Sequence, residues 1–91
     1  SMTFEIMRTP GHSPGSVCIR CGDVIFTGDT LFAGSCGRTD FPGGSTKKIM
    51  KSLKRLAELE GNFAVLPGHM ETSNLETERQ RNPYMIQAMR Y

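Results

Sequence analysis

Two histidines and one aspartate are the residues of this chain best suited to chemistry. His12 and His69 are the only histidines among the 91 residues, and each follows a Pro-Gly pair. Asp29 follows Gly28 at the end of an apolar, β-prone run at 24–26. A carboxylate at the end of a buried strand is costly unless a cation satisfies it. Two imidazoles and a carboxylate suit a divalent transition metal such as zinc, iron or manganese.

The predicted elements bring these three residues to one edge of a sheet. Period-two and apolar patterns predict strands at 3–8, 16–20, 24–27 and 62–66, and an apolar stripe predicts a helix at 45–60. The second and third strands form a hairpin, which returns Asp29 to the edge where His12 lies. The helix then acts as a crossover, so the fourth strand runs parallel to the third and His69 emerges beside Asp29.

The remaining segments complete a mixed α/β fold of about four strands and two or three helices. The long segment 29–44 has no helical or strand period, and we expect it to be irregular and functional. Ser73 and Glu76 have the spacing of a capping box and predict a short helix to residue 81. Asn82-Pro83 then predicts a last helix over 84–90.

Blander interpretations stay open for each of these residues. A single histidine after Pro-Gly is most often a turn residue, and a single aspartate after glycine is most often a local cap. Cys18 and Cys21 have C-x-x-C spacing, but residues three apart on a strand point to opposite faces. With only Cys36 besides them, we expect reduced thiols in a cytoplasmic protein and not a zinc or redox pair.

Composition excludes several classes of partner. The net charge of +2 gives no argument for nucleic acid or a membrane surface, and no apolar run approaches the ~18 residues of a membrane span. We interpret the five cations of the predicted helix, between residues 47 and 55, as a solvated face. No signal peptide is recognised, and residues 1–2 are interpreted as a cloning remnant.

Four motifs, in order, resemble the later motifs of the metallo-β-lactamase superfamily, and more narrowly of its glyoxalase II-like (hydroxyacylglutathione hydrolase) members. They are T-P-G-H-S-P-G-S at 9–16, F-T-G-D-T-L-F at 26–32, G-R-T-D-F at 37–41 and L-P-G-H at 66–69. The resemblance implies that His12 completes a first metal site, that Asp29 bridges two metals and that His69 belongs to the second site. It also implies a zinc-dependent hydrolase in which a metal-bound hydroxide attacks a small-molecule thioester such as S-lactoylglutathione.

The departures from this family are large. Its first motif, H-x-H-x-D-H, is absent, because no histidine precedes His12. The resemblance therefore implies that residues 1–91 are the C-terminal half-domain of an αββα sandwich, inactive alone and with weak or absent metal binding. We expect the missing N-terminal half to be its partner. An unpaired sheet edge and an exposed helix face would also favour a homo-oligomer or a swapped dimer.

Two other functions stay open. Persulfide dioxygenases share the scaffold and a similar loop at 35–40, but the resemblance implies a single iron for them. A non-enzymatic half-domain that only binds a partner is the third interpretation. In each case we expect Arg38 and Asp40 to pair and brace the loop beside the site, and Ser13 and Thr30 to act as supporting hydrogen-bonding residues and not as nucleophiles.

Overall fold

Ten short elements make up the fold, seen in a computed structural model that describes residues 3–69 and 71–91. The interpretation of residues 1–2 as a cloning remnant lies outside the described residues. In chain order the elements are β1 (Phe4–Arg8), β2 (Val17–Cys21), β3 (Val24–Gly28), β4 (Leu31–Phe32), β5 (Ser35–Cys36), α1 (Thr46–Ala57), β6 (Ala64–Pro67), β7 (Ser73–Asn74), α2 (Leu75–Arg81) and α3 (Pro83–Ala88).

One mixed sheet, in the order β1-β2-β3-β6-β7, forms the centre of the fold. All neighbouring pairs are antiparallel except β3 and β6, which are parallel and joined across α1. The four predicted strands and the crossover helix are therefore confirmed, and the fold is the mixed α/β architecture that the sequence predicts. None of the helices described is long and apolar enough to cross a membrane.

The helix α1 packs on the sheet through the apolar stripe that the sequence predicts. Its N-cap is Ser45, whose hydroxyl accepts a hydrogen bond from the backbone of Lys48. The stripe residues are all buried: Ile49, Met50, Leu53, Leu56 and Ala57. The helix ends three residues earlier than predicted. Its end is bound by Arg79, whose guanidinium donates to the carbonyl oxygens of Ala57, Leu59 and Gly61.

Three local features differ from what the sequence predicts. The segment 29–44 is not wholly irregular, because β4 and β5 pair within it as a small hairpin. The short strand β7 pairs with β6 and was not predicted. The cap of α2 is Asn74, whose side chain accepts from the backbone of Thr77. Ser73 does not cap α2, because its hydroxyl instead donates to the carboxylate of Glu78.

The β4–β5 hairpin is held by a buried polar pair at the junction of α2 and α3. Asn82 is fully buried, and its amide nitrogen donates to the carbonyl oxygens of Phe32 and Ser35 and to Glu78. Glu78 is 3% exposed and also accepts from the backbone of Gly34 at 2.8 Å. Two strands of two residues each cannot hold themselves in place. The hairpin therefore depends on contacts from residues far along the chain.

The two faces of the sheet have opposite environments. Met7, Ile25 and Val65 lie in the core under the helices. The opposite face is apolar but uncovered: Phe4, Ile6 and Phe26 are 62%, 67% and 43% exposed. The stripe of α1 is buried, so this uncovered apolar surface belongs to the sheet. A contiguous exposed apolar surface of this kind marks a place where another element packs.

Replacing Asn82 with alanine tests whether its buried amide organises the hairpin. We expect Asn82→Ala to lower the free energy of unfolding by about 2–4 kcal/mol, because it leaves buried carbonyl groups unpaired and removes the cap of α3. Chemical denaturation gives the measurement. Gln87→Ala is the matched control, since this amide is exposed on α3. An equal effect of the two substitutions would contradict the anchoring role.

Candidate metal centre

His12, Asp29 and His69 lie together at one edge of the sheet. Asp29 is between the two histidines and faces each with a different oxygen. The Nε2 atom of His12 is 3.8 Å from Oδ2, and the Nδ1 atom of His69 is 3.3 Å from Oδ1. The structure therefore brings together the three residues that the sequence selects, while their role as metal ligands stays a prediction.

The imidazole of His12 is oriented by the main chain of the loop. Its Nδ1 atom lies 2.8 Å from the carbonyl oxygen of Arg38. A carbonyl oxygen only accepts hydrogen bonds, so Nδ1 carries the proton and donates. In the neutral ring, Nε2 then presents its lone pair towards Asp29. Metal-binding histidines typically have this second hydrogen bond to a backbone carbonyl or carboxylate, which fixes their tautomer.

His69 is positioned by a backbone contact and by an aromatic neighbour. The amide of Gly68 donates to the carbonyl oxygen of Gly28 at 2.8 Å, which ties the end of β6 to the end of β3. The ring of Phe32 lies 4.8 Å from the His69 ring, centre to centre, at a tilt of 44°. The β4–β5 hairpin therefore supports the second histidine directly.

Gly37 allows the loop to lie against the site, and it was missed as a site residue. A Cβ atom at this position would overlap the carbonyl oxygen of Asp29 and come within 3.0 Å of the Cβ of His12. Its amide donates to the carbonyl oxygen of Thr30. Its sequence signal was its place at the start of the G-R-T-D-F motif, since glycine is needed where two backbones approach closely.

Arg38 and Asp40 form the bidentate pair that the sequence predicts. Nε and Nη2 of Arg38 lie 3.0 and 2.7 Å from the two carboxylate oxygens. The hydrogen bonds from Arg38 hold the pKa of the Asp40 carboxyl below its usual value, and the same pair raises the pKa of Arg38. The guanidinium also lies 4.5 Å from the ring centre of Phe41. These contacts fix the residue whose carbonyl orients His12.

A layer of buried hydroxyl groups lies beneath the site. The hydroxyls of Thr9 and Thr30 are 3.1 Å apart, and both residues are fully buried. They connect the segment before His12 to the segment after Asp29. Thr30 therefore makes a supporting contact of the kind expected, whereas Thr9 was missed. Burial raises the pKa of the neighbouring Cys18 thiol, which fits a structural and unreactive cysteine.

The other predicted positions are local. The hydroxyl of Ser13 lies 2.8 Å from that of Ser16 and serves the turn before β2. Cys18 and Cys21 both lie on β2, three positions apart, and all three cysteines are free. Burial raises the pKa of the half-buried Cys36 thiol. Neither Ser13 nor any cysteine makes a described contact with the two histidines or Asp29.

The donor set fits a metal only in part. Within residues 3–69 and 71–91, no three His, Cys, Asp or Glu side chains meet closely enough to hold a metal ion. The histidines instead form two separate pairs with Asp29, one on each carboxylate oxygen. Imidazole nitrogens and a shared carboxylate are suitable ligands for zinc or iron. Each pair leaves coordination positions for ligands from elsewhere.

A family profile identifies the scaffold that carries these residues. The profile of the metallo-beta-lactamase superfamily matches residues 1–69, which include both histidines and Asp29. The chain belongs to the metallo-beta-lactamase superfamily. The resemblance of the motifs to this superfamily is therefore confirmed, and so is the fold that it implied.

Relatives within the superfamily have different activities at similar identity. An uncharacterized protein of Mycobacterium leprae is 42% identical over 93% of the chain and 41% of its own length. Hydroxyacylglutathione hydrolase GloC of Haemophilus influenzae is 36% identical over 90% of the chain and 40% of its own length. The mitochondrial persulfide dioxygenase ETHE1 of Mus musculus is 38% identical over 88% of the chain and 34% of its own length. The chain thus spans 34–41% of the length of these relatives.

Solved structures agree with this assignment. The protein TTHA1623, in a di-iron-bound form, has a TM-score of 0.85 and 43% identity over 89% of this chain and 42% of its own. ETHE1 from Myxococcus xanthus has a TM-score of 0.87 and 32% identity over 99% of this chain and 46% of its own. This metallo-beta-lactamase chain therefore shares its fold with both proteins, one of them in a di-iron-bound form, and corresponds to less than half of each.

Substituting Gly37 tests whether the loop must approach the site so closely. We expect Gly37→Ala to lower the free energy of unfolding by about 1–3 kcal/mol, because the methyl group forces the loop away from Asp29. The same shift should break the hydrogen bond from His12 Nδ1, which imidazole NMR measures. Gly15→Ala is the control, since a Cβ there meets no atom within 4 Å. Unchanged His12 resonances in Gly37→Ala would contradict this account.

Proposed function

We propose that this chain is part of a metal-dependent hydrolase that cleaves a small-molecule thioester such as S-lactoylglutathione. The observation that supports this most is the position of Asp29, which offers one carboxylate oxygen to each of two histidines. A carboxylate placed in this way suits a bridge between two cations. Membership of a superfamily that includes the hydrolase GloC supports the reaction class.

In this proposal His12, Asp29 and His69 would supply ligands to two metal ions. Zinc is the expected ion, with iron or manganese as alternatives, and the di-iron form of TTHA1623 supports iron. When bound, the metal would supply Lewis-acid polarisation of a carbonyl and activation of water. The residues of this chain would hold the metal, and the loop residues orient the imidazole of His12. The carbonyl of Arg38 fixes the proton of His12 on Nδ1, and Asp40 fixes Arg38 in turn.

The proposal requires ligands and surfaces that these 91 residues do not supply. Each His–Asp pair is too small to hold a metal firmly, so we expect metal binding to this chain to be weak and catalysis to be absent. The uncovered apolar sheet face supports the same view, since Phe4, Ile6 and Phe26 are exposed. We infer that the remaining part of a longer protein packs on this face and supplies the other ligands. Association of two copies through the face is the alternative partner.

A persulfide dioxygenase is the second candidate. The mouse enzyme is 38% identical to this chain and GloC is 36% identical, so identity favours neither. ETHE1 from Myxococcus xanthus also shares the fold closely, at a TM-score of 0.87. In this alternative the same residues hold a single iron, which would supply oxygen chemistry and not hydrolysis.

Zinc titration of the chain tests the proposed ligands. We expect added zinc to shift the imidazole resonances of His12 and His69, which are the only two histidines and are therefore simple to assign. Asp29→Asn should weaken this binding by about tenfold or more, because it removes the shared charge. Asp23→Asn is the matched control, since Asp23 lies in the turn between β2 and β3. Equal zinc affinity in the two variants would refute the role of Asp29.

Activity assays on the full-length protein that contains this chain separate the two candidate functions. The hydrolase proposal expects cleavage of S-lactoylglutathione with either zinc or iron bound, and loss of cleavage in His69→Ala. The dioxygenase proposal expects iron-dependent oxygen uptake with glutathione persulfide and no thioester cleavage. A protein that does neither, although metal is bound, would count against both.

A further inference from the structure

We propose that a cationic groove on the outer side of α1 binds the phosphate group of a small phosphorylated molecule. The groove is a cavity of about 210 Å³ between the end of β1 and the helix. Its lining residues are Arg8, Pro10, Lys48, Lys51, Ser52 and Arg55. This site is separate from the candidate metal centre, and none of its side chains is a proposed metal ligand.

The helical spacing places the cations on one side of α1. Lys48, Lys51, Ser52 and Arg55 stand at positions i, i+3, i+4 and i+7 of α1, which is the spacing of one helix face. Arg8 closes the groove from the end of β1. The sequence interpretation of this side of α1 as a solvated face agrees with the exposure of Lys48, Lys51 and Arg55. Together with Arg8, these residues border one shallow groove.

The charge of the groove is not balanced by carboxylates in the part of the chain that the structure describes. No carboxylate lines the groove, and none of its four cations takes part in an ion pair there. The nearest acidic residue along the helix is Glu58, at the C-cap beyond Arg55. Like charges gathered in a concavity repel one another, and a multivalent anion would relieve that repulsion.

Part of the groove is already rigid. Nη1 of Arg55 donates to the carbonyl oxygen of Arg8 at 3.0 Å, which leaves the other N–H groups of the guanidinium for a ligand. Ser52 is 5% exposed, and its hydroxyl donates to the carbonyl oxygen of Pro10 at 2.7 Å. A guanidinium held in this way binds phosphate with two parallel hydrogen bonds at little entropic cost.

The size of the groove limits its ligand. A volume of 210 Å³ is below the ~300–1,000 Å³ of sites that enclose a drug-sized molecule. It suits one or two phosphate groups whose remaining part extends into solvent. The four positive charges favour a phosphate dianion or pyrophosphate over a single carboxylate.

Calorimetric titration with inorganic pyrophosphate, at low ionic strength, tests the proposal. We expect binding that weakens as salt is added, since exposed charges are screened. Lys48→Gln and Lys51→Gln should each weaken it about threefold to fivefold. The matched control is Lys47→Gln, which removes the same charge from the same helix but outside the groove. All three lysines are exposed, so the variants should keep the unfolding temperature of the parent chain.

Three results would overturn the proposal. One is the absence of pyrophosphate binding even at low salt. Another is an equal loss of affinity in Lys47→Gln and Lys51→Gln, which would mean that only the net charge of the helix matters. The third is tighter binding of a single-stranded oligonucleotide that Lys47→Gln weakens as much as Lys48→Gln does, which would assign the whole basic face to nucleic acid.

Discussion

The parallel pairing of β3 with β6 is the constraint on which the rest of the structure depends. It places Gly28 next to Pro67, so the two strands end side by side and release Asp29 and His69 at the same edge. A shift in register between Phe26 and Gly28 turns the end of β3, and Gly28 adopts a φ of 52° that suits glycine. If this pair slipped, the carboxylate and the second histidine would separate. His12 joins them because β2 runs antiparallel to β3.

Around this pair, the site is held by main-chain atoms and buried hydroxyls more than by its own side chains. The carbonyl of Arg38 orients one imidazole, and the contact between Gly68 and Gly28 places the other. Beneath them, the hydroxyls of Thr9 and Thr30 join the two loops in the core. This arrangement is stiffened by the Thr9–Thr30 hydroxyl pair, which is buried and satisfied. It keeps the three candidate ligands close without a direct hydrogen bond between the two histidines.

The sequence predicted what depends on local pattern. Alternation and the helical stripe located the four long strands and α1. The hairpin then placed His12 beside Asp29, and the crossover placed His69 at the same edge. Features made by distant contacts were missed. Nothing local marks Asn82 as the partner of Phe32 and Ser35, or Arg79 as the donor to the carbonyl groups at the end of α1. Ser73 matched the pattern of a capping box, but its hydroxyl donates to the buried carboxylate of Glu78 instead.

The anchor at Asn82 has a consequence for how this surface can vary between relatives. Its amide binds the carbonyl oxygens of Phe32 and Ser35, and Glu78 binds the backbone amide of Gly34. None of these bonds reads a side chain of the hairpin. Residues 33 and 35 can therefore be substituted while the β4–β5 hairpin beside His69 keeps its shape. In a scaffold of this kind, the geometry of the site can be kept while the side chains that determine specificity change.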